Sequence, residues 1–252
     1  MKFIILGCGS SMGVPRADGF FGDCNPKNRK NFRTRCSALI KCKNHNILID
    51  TSPDLRDQML KNKIKNIDSV IYTHSHADQT HGINDLRVFF LKKRKKLSVY
   101  ANKATKKYLL NSFSYCFKNY KDYPAILNLL DIKKSININR VLTIESVLVR
   151  HGSIKSLSFI INKKIAYLPD SNEIYIKDYK KFMNLKYLVI DCLRYKTHPS
   201  HFNLTDVLKL NIFLKPKMMI LTNLHSDLDY GKLLNILPKN IKPAYDGLTL
   251  SF

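Results

Sequence analysis

Thr73-His74-Ser75-His76-Ala77-Asp78-Gln79-Thr80-His81-Gly82 packs three imidazoles and a carboxylate into ten consecutive residues. It directly follows Asp68-Ser69-Val70-Ile71-Tyr72, a β-branched and aromatic run that reads as a buried strand. The histidines therefore fall at a strand end, which is where α/β proteins gather their chemistry. Four of the remaining five histidines sit in three further short stretches, at His151, at His198 with His201, and at His225. Each of the three follows a strand-like run, so the pattern of strand and then ligand-type residue repeats along the chain.

On either side of this loop the order of elements reads as strands interleaved with helices in two similar passes. The first pass has a strand at Lys2 to Leu6, a glycine loop at Gly7 to Gly13, and a hairpin of Cys36–Cys42 and Asn46–Asp50 across Lys43-Asn44-His45. Thr51-Ser52-Pro53-Asp54 then starts a helix to about Asn62, with Ser52 as its cap and Pro53 in its first position. After the His-rich loop come a helix from about Ile83 to Leu91, a strand at Leu97 to Tyr100, and a helical, aromatic stretch to Tyr123; Pro124 to Asn139 gives no clear pattern. The second pass has strands at Val141–Val149, Leu157–Ile161, Lys164–Leu168, Tyr187–Ile190 and Met218–Thr222, a helix at Leu204–Phe213, and a final turn at Tyr245-Asp246-Gly247-Leu248. With no low-complexity segment and no Pro/Gly-rich linker between the passes, one layered α/β unit over residues 1–252 is expected.

Composition narrows the class. At 44% hydrophobic residues the chain can bury a sizeable core, yet no apolar run approaches the roughly 18 residues of a membrane span. The opening strand runs into Gly7-Cys8-Gly9-Ser10-Ser11 and not into a signal-peptide cleavage pattern, so a cytoplasmic protein without membrane contact is expected. The six cysteines form no C-x-x-C pair and should be reduced, mostly buried thiols. A formal charge of +24 either draws in a phosphate-bearing partner or reflects lysine-rich solvated faces, and the run Lys92-Lys93-Arg94-Lys95-Lys96 has the same two explanations.

His74 and His76, two residues apart on a tight loop, can converge on one ion, while Asp78 turns toward a neighbouring position. His151 would complete three nitrogens around the first ion and Asp170 could bridge to a second. Imidazole with carboxylate suits Zn2+, Mn2+ or iron. Asp50, which ends its strand, is a candidate to accept a hydrogen bond from a ligand imidazole, and the glycine loop is either a phosphate cradle or a plain tight turn.

Taken together, these stretches resemble the metallo-β-lactamase superfamily, and within it the phosphoribosyl cyclic phosphodiesterases (PhnP-like) and the tRNase Z-like hydrolases. The residues that carry the resemblance are Leu6-Gly7-Cys8-Gly9-Ser10-Ser11-Met12-Gly13-Val14-Pro15, Leu48-Ile49-Asp50-Thr51-Ser52, His74 to Asp78, Leu168-Pro169-Asp170, His201 before Asn203-Leu204, and Tyr245-Asp246-Gly247. The resemblance implies a four-layer αβ/βα sandwich and a site for one or two Zn2+ or Mn2+ ions. It also implies hydrolysis of a cyclic or nucleotide-like phosphodiester by a metal-activated hydroxide. His201 matches the position of the general acid or transition-state clamp, Asp78 serves both as ligand and in catalysis, and His198 either orients His201, touches the phosphate or is an ordinary loop residue.

Three departures accompany it. Gln79 and Asn223 stand where the family has histidines, so either His225 and His81 supply replacement nitrogens or the second ion is weakly held. The cysteine-rich insertion of the phosphoribosyl enzymes is represented only by Cys24, with Cys36 further on. A small phosphodiester is the expected substrate; a nucleic acid, a metal-binding module with weakened hydrolysis, and a homodimer stay open.

Overall fold

A computed structural model describes residues 1–43, 45–138 and 141–252. The apolar runs of the first pass form strands β1 (Lys2–Gly7), β2 (Ser37–Cys42), β3 (His45–Ile49), β4 (Ser69–Ile71), β5 (Leu97–Ala101) and β6 (Leu127–Asp131). Those of the second pass form β7 (Ser135–Ile138), β8 (Leu142–His151), β9 (Ile154–Ile161), β10 (Ile165–Leu168), β11 (Tyr187–Asp191), β12 (Met218–Thr222) and β13 (Ile241–Pro243), and the chain ends in β14 (Thr249–Ser251). One sheet has the order β14-β1-β2-β3-β4-β5-β6 and the other β13-β12-β11-β10-β9-β8-β7. In each, four consecutive strands are parallel, β3 to β6 and β10 to β13.

Strand periodicity explains the layers. Phe3 and Ile5, Ile47 and Ile49, Ile165 and Tyr167 point to the space between the sheets, where they form one buried cluster with Phe159 and Val189. The intervening residues Leu6, Leu48 and Val70 pack outward beneath Leu55 and Met59 of α1 (Leu55–Lys61), Phe89 of α3 (Arg87–Lys93) and Leu109 of α4 (Lys103–Ser112). Ala166, Leu188 and Leu221 do the same beneath Phe182 of α6 (Tyr179–Phe182), Val207 and Leu214 of α7 (Leu204–Leu214) and Leu233 of α8 (Tyr230–Ile236). Strands buried on both faces read as continuous apolar runs, as these do. The result is the expected helix, sheet, sheet, helix sandwich, with short helices α2 (Ala77–Thr80) and α5 (Ser114–Phe117) at its margins.

Several boundaries differ from the sequence reading. Helix α1 starts at Leu55, because Ser52 Oγ accepts the Asp54 N–H at 3.1 Å in a local turn and the Asp54 carboxylate is taken by Arg35. The helix expected from Ile83 begins as a 3-10 turn, Ile83–Leu86, before α3. The unclear stretch after Pro124 supplies β6 and β7, and α8 and β13 were not anticipated. Asn44 of the expected hairpin turn, and Asn139, lie outside the described residues, although β2 and β3 pair as the hairpin requires. No helix of the described residues is long and apolar enough to cross a membrane.

The basic run Lys92 to Lys96 leads from α3 into the N-terminal end of β5, and Lys93 pairs with Asp68 at 2.7 Å just before β4. It therefore lies at the opposite end of the parallel strands from the histidines.

Candidate metal centre

The C-terminal tips of the parallel strands of both sheets meet in one cleft. Asp50 follows β3, Thr73 and His74 follow β4, Asp170 follows β10, Asp191 ends β11 and Asn223 follows β12, while His151 ends β8. Asp50 and Asn223 both have φ of 61°, a left-handed conformation that short polar side chains tolerate and that turns the chain where the strand stops. The two sheets are tied at this point by the Leu157 N–H, which donates to Thr73 O at 3.0 Å. The loop closes on Gly82, whose N–H donates to Thr51 O; a Cβ there would lie 1.9 Å from Ser52 O, so only glycine lets the His-rich loop dock.

His74, His76 and His151 each offer a ring nitrogen within 4.8 Å of the other two, and their ring centroids are 4.5 to 5.1 Å apart. Their orientation follows from their neighbours. His151 Nδ1 donates to Ser200 O at 2.7 Å, which leaves Nε2 with its lone pair, 3.3 Å from His76 Nδ1. Asp50 accepts both the Thr73 N–H and the Thr73 hydroxyl at 2.8 Å. Because Thr73 Oγ1 gives its hydrogen to Asp50, it accepts from His74 Nδ1 at 3.0 Å, and His74 Nε2 faces the cleft as a lone pair. Asp50 thus acts on His74 through Thr73, and not by the direct bond that the sequence suggested.

Burial pushes the His74 pKa well below its ordinary value and that of His151 down to about 4, so both imidazoles are neutral donors near neutral pH.

Across the cleft the polar atoms are engaged with one another. His201 Nδ1 is 2.7 Å from Asp191 Oδ2, and Asp191 also accepts the Ser171 N–H at 2.9 Å. Burial pushes Asp191 up to about 6 against the pull of His201; His201 is itself disfavoured as a cation by burial, but Asp191 outweighs this and raises it. Asp170 accepts an amide N–H from Gln79 at 3.0 Å and another from Asn223 at 3.3 Å, and Asn223 Nδ2 also reaches Asp191 Oδ1 at 3.3 Å. His201 is held just upstream of α7, whose Asn203 and Asp206 form a reciprocal capping box.

The predicted residues thus separate. His74, His76, His151, Asp170 and His201 converge, and burial pushes the Asp78 carboxyl up, with the nearby charges of His76 and His201 opposing this only in part. The His198 ring lies 5.0 Å from that of His201, with Nδ1 near Ser200 Oγ at 3.2 Å. His225 stands apart from both ligand groups, its Nδ1 3.2 Å from Asp227 Oδ1, and His81 Nε2 meets Tyr108 at 2.9 Å on the surface. Neither imidazole belongs to a ligand group among the described residues, so neither stands in for the histidine that Gln79 or Asn223 replaces there.

In the glycine loop the N–H groups of Cys8, Gly9, Ser10 and Gly13 donate to protein oxygens, as in a tight turn. Cys24 lies beside Arg33, and Cys36 beside Gly9 O and Thr222. Thr73, Ser200 and Asp191 were missed as orienting partners; only Asp191, an acid ending an apolar strand, carried a signal for it.

The three nitrogens fit a transition ion. His74 Nε2 is buried without any hydrogen-bond partner, a situation that costs about 1–3 kcal/mol and that a cation relieves. Neutral imidazoles are the ligands Zn2+ and Mn2+ sites use.

A family model described as a beta-lactamase superfamily domain matches residues 45–223. The chain is 30% identical, with a TM-score of 0.90, to the crystal structure of a diphosphatase from the PhnP family, covering 100% of this chain and 97% of that one. It also superposes on Zn2+-bound PqqB from Methylobacterium extorquens with a TM-score of 0.81 at 15% identity, covering 100% of both chains. Among curated proteins it is 32% identical over 254 residues to an octanoyltransferase of Porphyromonas gingivalis (strain ATCC BAA-308 / W83), taking in 98% of this chain and 51% of that protein. The chain therefore spans about half the length of the curated relative it matches.

Proposed function

The chain belongs to the metallo-β-lactamase superfamily of metal-dependent hydrolases, and from this premise we propose that it hydrolyses a phosphodiester or diphosphate bond in a small, nucleotide-like or ribosyl molecule. The observation that carries the proposal is His201, fixed by Asp191 at 2.7 Å with its ring centroid 4.7 Å from that of His151. Bound by His74, His76 and His151, Zn2+ or Mn2+ would supply Lewis acidity, polarising a phosphoryl oxygen and acidifying water.

The protein's own groups do the rest. With Nδ1 tied to Asp191, His201 keeps Nε2 for the substrate and delivers a proton to the leaving oxygen, and Asp191 steadies its protonated form. Asp78, whose carboxyl feels the charges of His76 and His201, would align the attacking water. His198, next to His201, is placed to donate to a phosphoryl oxygen. The +24 charge favours encounter with an anion. The similarity to a PhnP-family diphosphatase over the whole chain supports phosphorus as the reacting centre.

The octanoyltransferase name belongs to a protein about twice as long. Carrying an acyl group on a cysteine would require an accessible thiolate, and all six cysteines here are buried.

The test is turnover of bis(p-nitrophenyl) phosphate, a ribosyl cyclic phosphate and a nucleoside diphosphate ester by protein loaded with Zn2+ or Mn2+. Metal-dependent release of product from at least one is expected, and no turnover of any would overturn the proposal. Faster cleavage of a structured RNA, with binding that weakens steeply as salt rises, would move the substrate class to nucleic acid.

A further inference from the structure

Next to the three-nitrogen cluster lies a second group, His151, Asp170 and His201, whose ligand-type atoms also fall within 4.8 Å of one another. A second ion there would need lone pairs turned toward it. The surroundings supply hydrogens instead. Both Asp170 oxygens accept amide N–H groups, Oδ2 from Gln79 at 3.0 Å and Oδ1 from Asn223 at 3.3 Å. The His201 nitrogen that faces Asp170, Nδ1 at 4.0 Å, is the one committed to Asp191, and Asn223 Nδ2 lies 3.1 Å from it as well.

We infer that this centre is built for one ion, and that Gln79 and Asn223 are positioning residues whose amide hydrogens hold Asp170 and the Asp191–His201 pair where a second cation would otherwise hold them. An amide N–H presents partial positive charge to a carboxylate, so two of them do for Asp170 what a metal would do, without asking Asp170 to give up a lone pair to an ion. Both amides are buried, so the bonds are shielded from water. Of the fully buried acceptors on this side among the described residues, Gln79 Oε1 is left without a partner, and an amide oxygen is a weaker ligand than the imidazole it replaces. Asn223, at φ 61°, points its amide between two carboxylates, Asp170 and Asp191, and the N–H donor relieves their repulsion.

The inference rests on reading His74, His76 and His151 as the ligands of the first ion. It is tested by counting ions on purified protein without substrate, so a wrong count leaves the hydrolysis proposal standing and absent hydrolysis leaves the count standing. Apo-protein titrated with Zn2+ and with Mn2+ by calorimetry, with elemental analysis after gel filtration, should saturate at one ion per chain. The double variant Gln79→His/Asn223→His, which replaces both hydrogen donors by imidazoles, should take up two. Two ions of comparable affinity on the native chain would overturn the inference, as would a cooperatively folded double variant that still holds one.

Should the double variant fail to fold, two single substitutions decide the matter. His151→Ala should leave the protein without a bound ion, and Asp170→Asn should keep one. An ion retained by His151→Ala, or lost in Asp170→Asn with the fold intact, would refute the one-ion centre.

Discussion

Around His74, His76 and His151 the protein leaves nitrogen lone pairs uncovered, one of them buried with no partner at all; around Asp170, on the other side of the same cleft, side chains satisfy one another with amide and imidazole hydrogens. The two sides are built from similar residue types at similar strand tips, so composition does not separate them. What separates them is the direction of hydrogens. A side chain whose proton is fixed on the far nitrogen, as Ser200 O fixes that of His151, is prepared to give a lone pair to an ion. One whose near nitrogen is bonded to a carboxylate, as Asp191 bonds His201, is prepared to hold and release a proton.

The largest expected effect is on the lone-pair side. His76→Ala should lose bound metal and lower kcat/KM by about a thousandfold or more, the scale on which metal chemistry contributes. Chelation of the native protein should do the same and be reversed by adding Zn2+ or Mn2+. Because an ion that binds only the folded state stabilises it, by about 2.7 kcal/mol at a hundred times its Kd, the metal should raise the melting temperature of the native chain and not of His76→Ala. Equal metal content and melting behaviour in the two proteins would erase the distinction between the sides.

The hydrogen-bonded side should answer differently. His201→Ala is expected to keep its metal and yet lose about a hundredfold or more in kcat, the usual range for general acid–base catalysis. Loss of the ion in this variant would place His201 among the ligands.

The sequence made one side more readable than the other, for a physical reason. Ligand geometry is local: His74 and His76 are two residues apart after a strand, and His151 ends another, so spacing and strand ends announced them. The four layers were readable too, since β1, β3 and β10 are apolar on both faces and their alternation is set by the pleat. Hydrogen direction is not local. That Thr73 relays Asp50 to His74, or that Gln79 and Asn223 aim at Asp170 rather than at an ion, depends on strands from both sheets meeting at their tips. The weakly patterned segments fared worst: β6 is only partly buried, and β13 is three residues long and contains Pro243, which left little periodicity to detect.

Smaller effects sharpen the contrast. Thr73→Val preserves shape but can neither donate to Asp50 nor accept from His74, so it frees the proton on His74 to sit on either nitrogen. Metal affinity, measured by competition with a chelator, should fall about 10- to 100-fold, as is usual when the partner of a ligating histidine is removed. Unchanged affinity would mean that the relay does not set the tautomer.

The smallest effect is expected at His225, and it is informative for that reason. Its sequence position, two residues after Asn223 at the tip of β12, made it the natural substitute for a missing ligand. Its imidazole is instead paired with Asp227 at 3.2 Å, partly exposed, and its backbone N–H donates to Leu193 O in the loop after β11. A partly exposed polar contact of this kind contributes about 0–1 kcal/mol. His225→Ala should therefore leave the ion count unchanged and the melting temperature nearly so. A lower count, with folding intact, would move His225 into the cleft and give the hydrogen-bonded side the lone pair that the structure withholds from it.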